Sequence, residues 1–142
     1  MKSISKFALA ASIGLAIALT FSCSSDDGDE GCNVEGGTLK GCTWERSSKS
    51  TSSIASWDLT YILKFTSDEK VTRTRTGWEE TNTITGGKKR DNINDKFDYT
   101  YAYVPTNRLG AAERISNGNK VLFNVSADYK SLTWDGNKYS KK

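Results

Sequence analysis

The apolar and polar positions of this chain change period once. Residues 7–21 read FALAASIGLAIALTF, a charge-free run in which polar residues do not recur at helical spacing. From Cys42 onward the period is two. Trp57, Leu59, Tyr61, Leu63 and Phe65 share one face of an extended segment, with Asp58, Thr60 and Lys64 on the other. Phe97, Tyr99, Tyr101 and Tyr103 repeat the alternation, and residues 121–125 do so again. Shorter candidate strands cover residues 44–46, 71–76, 81–85, 109–115, 131–134 and 138–140. A single helical turn at residues 111–114 is the competing expectation there.

The punctuation between these segments is that of turns. Residues 67–70, 105–108, 116–119 and 135–137 are rich in Ser, Asp, Asn, Pro and Gly. Asn117-Gly118 and Asp135-Gly136 predict tight hairpins, because glycine accepts positive φ without steric cost. The Ser/Thr-rich stretch 47–56 and the Gly- and charge-rich stretch 86–95 predict exposed loops. Strands joined by short turns, without β-α-β alternation, predict an all-β, antiparallel meander. About eight strands would close into a small β-barrel, which removes both exposed edges. A β-sandwich is the alternative.

The early apolar run changes the picture of where the protein resides. Its fifteen residues would cover about 22 Å as a helix, short of the ~30 Å hydrocarbon core of a bilayer. With Lys2 and Lys6 before it, the run fits a secretory signal. It ends Leu19-Thr20-Phe21-Ser22-Cys23-Ser24-Ser25-Asp26-Asp27. A small residue, a cysteine and then a polar acidic stretch resemble the lipobox of bacterial lipoproteins, in the looser form found in Bacteroidota. Thr20-Phe21 departs from the usual pattern of an aliphatic and then a small residue. The resemblance implies cleavage between Ser22 and Cys23 and lipidation (a diacylglyceryl group and an acylated amine) at Cys23. Several acyl chains give stable membrane attachment, whereas one gives only marginal binding. Three regions follow: a signal peptide at 1–22, a lipidated N-terminus with a flexible acidic tether at 23–41, and a barrel domain at 42–142. The Ser/Asp-rich start of the tether resembles the tag of surface-exposed lipoproteins, with a plain spacer as the alternative. The expected location is the outer membrane of a cell envelope, on either face.

Composition then removes several classes of function. The chain has 20 basic and 17 acidic residues and no histidine. Loss of residues 1–22 takes away Lys2 and Lys6 and leaves a net charge of +1. Such a weak excess does not predict a nucleic-acid partner. Without imidazole, His-dependent triads and most zinc sites are excluded. No cofactor motif is present, and no metal site is expected. Apart from Cys23, the cysteines are Cys32 and Cys42, with nine residues between them. An exported compartment permits a disulfide there, and two free thiols are the alternative.

The order of features from residue 39 carries a second resemblance. Leu39-Lys40-Gly41-Cys42-Thr43-Trp44 precedes the strands, and Asp135-Gly136-Asn137-Lys138-Tyr139 lies near a Lys-Lys end. This looks like the small lipocalin-like lipoproteins of Bacteroidota. Two residues separate Gly41 from Trp44 where that family has one, which affects the register of the first strand. The resemblance implies a lipocalin-like barrel in which Trp44 closes one end.

The candidate chemistry is sparse. Asp68-Glu69 and Glu79-Glu80 are adjacent pairs, and neighbours on a strand point to opposite faces, so neither forms a catalytic dyad. An enzyme is therefore not expected. The aromatic set Trp44, Trp57, Tyr61, Phe65, Phe97, Tyr99, Tyr101 and Tyr103, with Leu59 and Leu63, either fills a core or lines a cavity for an amphipathic ligand. Arg73 and Arg75 share the parity of Val71. They form a candidate anion site at a barrel mouth if Val71 points inward, or a solvated face if it does not. Two functions follow: a lipid-anchored barrel that binds a small amphipathic ligand, or a filled module that binds a protein or glycan.

Overall fold

The computed structural model describes residues 31–142. The lipidation and cleavage positions, Cys23 and Ser22, and residues 23–30 of the acidic tether lie outside the described residues. Within them the chain forms eight strands and no helix. These are β1 (Thr43–Thr51), β2 (Ala55–Phe65), β3 (Lys70–Asn82), β4 (Lys88–Val104), β5 (Leu109–Arg114), β6 (Lys120–Val125), β7 (Ser131–Trp134) and β8 (Asn137–Lys141). Each pairs antiparallel with the next, and β8 pairs with β1 through Trp44–Lys141 and Glu45–Ser140. The meander is thus a closed barrel. The seam is short, and Lys142 reinforces it with a backbone hydrogen bond to Thr43 (3.0 Å) and an ion pair to Glu45 (2.7 Å).

The expected faces hold on the long strands. Leu59, Leu63 and Phe65 are buried on β2, and Tyr99 and Tyr101 on β4, while Lys64, Asp98 and Thr100 are exposed. A slip of one residue would reverse both sets, so burial fixes the register. Asp135-Gly136 makes the two-residue hairpin between β7 and β8, with φ of 49° and 75°. Around Asn117-Gly118 the turn is wider, because Arg114 N–H bonds to Asn119 C=O (2.8 Å) and four residues lie between them.

Several expectations for loops are corrected. Residues 47–51 belong to β1 and residues 88–95 to β4, where the composition suggested exposed loops. Residues 83–87 turn between β3 and β4 instead of forming a strand, and residues 111–114 are strand, not a helical turn. Pairing decides these cases. Polar residues 47–51 lie against 56–60, and 88–94 against 76–82, so the ladder satisfies backbone groups whatever the side chains prefer. The residues of β4 before Tyr99 pair with β3 alone. Lys88, Lys89, Arg90, Asp91 and Lys96 charge this free edge, which protects it from pairing with another chain.

The two ends of the barrel differ. Residues 32–41, expected as the end of a flexible tether, are part of the fold. Val34 and Leu39 are buried in the same cluster as Trp44, Leu63 and Phe65. Gly41 N–H bonds to Phe65 C=O (2.8 Å), and the Thr38 hydroxyl bonds to Asp68. Two aliphatic residues anchor this short stretch, because their burial removes both from water. A Cys32–Cys42 disulfide ties this cap to the start of β1. Trp44 is wholly buried beside it. The opposite end carries the β5–β6 and β7–β8 turns and has no such cap among the described residues.

Candidate functional site

The interior has a packed half and a polar half. Toward the cap, aromatic rings fill the barrel. Phe65 meets Tyr101 edge-on at 4.9 Å, and Phe123 stacks on Trp134 at 5.5 Å and on Tyr103 at 6.1 Å. Tyr99 meets Trp134 edge-on at 5.3 Å. The Tyr101 hydroxyl donates to Ser67 C=O at 2.9 Å, and burial pushes its pKa up to about 12, with Asp68 adding to the effect. Gly110 faces Phe123 across the β5–β6 pair, and a Cβ there would overlap the Phe123 ring. The ring thus occupies the space that a side chain on β5 would have taken.

Beyond these rings the inward positions turn cationic. Arg46 follows Trp44 on the inner face of β1, Arg73 and Arg75 follow Val71 on β3, and Arg114 follows Ala112 on β5. Arg46 and Arg73 lie over the Tyr61 ring, 4.9 and 5.2 Å from its centre. Arg114 lies 3.9 Å from the centre of the Phe97 ring. Such cation–π contacts hold a guanidinium by its flat face and leave its N–H edges free to donate. Burial raises the Tyr139 pKa, while Arg73 and Arg46 pull it back down.

Arg75 has a different fate from Arg73. Its guanidinium donates twice to Asp95, at 3.0 and 2.7 Å, and sits 3.6 Å from Glu79. The Asp95 hydrogen bonds raise its pKa. Arg75 is therefore neutralised and does not join Arg73 in an anion site. Arg73, Arg114 and Arg46 have no ion pair among the described residues. The Nε–H groups of Arg73 and Arg114 are buried and lack a hydrogen-bond acceptor.

Arg73 and Arg114 line one half-open cavity of about 340 Å³. Tyr99, Val121 and Trp134 supply its apolar surface, while Lys120, Asp135 and two asparagines stand around them. Its wall thus holds three cations against one carboxylate. No known family model, curated protein or solved structure matches this chain. The site is therefore understood from its own geometry.

Among the expected residues, Arg73 and Tyr99 line this cavity. Phe65 and Tyr101 belong to the packed half, and Tyr103 stacks there only partly buried. Leu59 and Leu63 are buried, and Tyr61 and Phe97 carry the arginines. Trp57 is half-buried near the start of β2, where its Nε1–H bonds to Ser48 Oγ (3.1 Å). Glu79 and Glu80 point to opposite faces, the first to Arg75 and the second to Lys88 and Arg90. The sequence expectations missed Arg114, Lys120 and Trp134. Parity counted from Ala112 would have turned Arg114 inward, but the larger apolar residues there, Leu109 in β5 and Ile115 just after it, are exposed. Among the described residues no cluster of three acidic, Cys or His groups could hold a metal ion.

Proposed function

We propose that this protein is a non-enzymatic lipoprotein of the outer membrane, held by a lipidated Cys23, whose lipocalin-like barrel binds a small amphipathic ligand at its uncapped end. The half-open cavity carries the binding half of this reading. It places Val121 and the edges of Trp134 and Tyr99 beside Arg73 and Arg114, whose Nε–H groups lack an acceptor. Sites for small molecules combine such apolar walls with a few convergent polar groups, in volumes of about 300–1,000 Å³. The lipobox-like sequence ending at Cys23 supports the anchor, and the cysteine pair suits an oxidising compartment.

Native mass spectrometry of protein purified from its own host tests the binding half. A small molecule retained by the protein is expected, and a mass of protein and acyl chains alone would refute it. Cys23→Ala tests the anchor: the protein should leave the membrane fraction or accumulate as a precursor. Unchanged fractionation with normal processing would overturn that part.

The competing reading is a surface module for a protein or glycan partner. It draws on the exposed Val104, Leu109 and Leu122 on the outer faces of β4–β6. Their substitution by serine would abolish partner capture under that reading and leave small-molecule retention intact under ours.

A further inference from the structure

We infer that the cavity between Arg73 and Arg114 selects a compact organic anion. This rests on the proposal that the barrel binds a ligand at all, and it adds the charge and shape of that ligand.

The charge follows from the donors. Two guanidiniums line one cavity, and neither has an ion pair among the described residues. Each has a buried Nε–H without an acceptor. On β3 and β4, the carboxylates of Glu79 and Asp95 are taken by Arg75. Asp135 is the one acid at the cavity, in an exposed turn, and Lys120 offsets it at the rim. Phe97 and Tyr61 lie against Arg114 and Arg73, Arg73 also engages the Tyr139 hydroxyl, and the N–H groups not so engaged remain for an acceptor. A planar carboxylate or a phosphate matches that edge geometry.

The shape follows from the apolar surface. Trp134 and Tyr99 meet each other edge-on, and Trp134 stacks on Phe123 behind. Past them the barrel is filled by Phe65, Tyr101 and Phe123. A long alkyl chain has no space to run inward, and Trp134 and Tyr99, 2% and 4% exposed, offer a ligand only their edges. The same packing limits the depth of the ligand.

Calorimetric titration of the purified full chain, against matched blanks, tests this with three probes: 2-naphthoate, the neutral 2-naphthylmethanol and inorganic phosphate. Naphthoate should bind at one site at least about tenfold tighter than naphthylmethanol, as loss of one charge-assisted hydrogen bond would require, and tighter than phosphate, which lacks the apolar group. Arg73→Gln and Arg114→Gln should each remove that preference, while Lys49→Gln on the outer face should not. If one arginine variant fails to fold, the other gives the same test, and the wild-type comparison of probes stands without either. Equal affinity for naphthoate and naphthylmethanol would overturn the anion preference and leave the amphipathic-ligand proposal standing. Phosphate as tight as naphthoate would overturn the preference for an organic anion. Absence of binding by all three would overturn the inference, while small-molecule retention in native mass spectrometry decides the proposal beneath it.

Discussion

Phe123 is the side chain on which the packed half of the barrel turns, and Phe123→Ala should show it. The ring is 3% exposed and contacts four others: Phe65 at 5.9 Å, Tyr101 at 6.2 Å, Tyr103 at 6.1 Å and Trp134 at 5.5 Å. Truncating a buried Phe costs about 3–5 kcal/mol, and each aromatic pair adds about 0.5–1.5 kcal/mol beyond area burial. The pairs are not additive and Gly110 leaves no neighbouring side chain to collapse into the void, so the upper end applies, about 4–5 kcal/mol. A domain of this size has about 5–15 kcal/mol in all. With a urea m-value of about 1–2 kcal/mol/M, the unfolding midpoint should fall by about 2 M or more. Urea titration of the non-reduced protein, followed by tryptophan fluorescence, reads this directly. Thr100→Ala, on the exposed face of β4, should stay within about 0.5 kcal/mol of the wild type. A Phe123→Ala midpoint within about 0.3 M of the wild type would refute the idea that these rings carry the fold.

Three other outcomes are expected. Gly110→Ala should cost about 1–3 kcal/mol by overpacking against Phe123, and the cost should vanish in a Phe123→Ala background, where the ring is gone; equal costs in both backgrounds would deny the contact. Tyr101 has a folded pKa of about 12 against an ordinary 10.0, so the protonated phenol is favoured by the fold. Its contribution is complete below pH 10 and is lost as pH rises toward 12. Tyr101→Phe should therefore flatten the loss of stability in alkaline titration, and an unchanged slope would argue against it. Cys32→Ser should cost about 2–3 kcal/mol in the chain-entropy model and loosen the cap, read as faster amide exchange at Leu39 and Cys42; unchanged exchange would show that Val34 and Leu39 hold the cap alone.

Alternation alone was enough to establish the strands at 57–65, 97–103 and 121–125 and the inward set on each, because a period of two has only two faces and only one can be buried. It also placed the Asp135-Gly136 hairpin, whose positive φ values suit those residues. Tertiary structure decided what local pattern leaves ambiguous. The polar residues of β1 and the first half of β4 are strands because a neighbouring strand satisfies their backbone. On β5, Leu109 faces out while Gly110 and Ala112 face in, since the Phe123 ring already fills that interior and only small residues fit beneath it. Arg73 and Arg75 share a parity in the sequence, yet Asp95, twenty residues away, neutralises one and leaves the other free. Arg114 reaches the same cavity as Arg73 through closure of the barrel, which brings β3, β5 and β7 around one space. Parity tells which way a side chain points; only the ring of strands determines what it meets there.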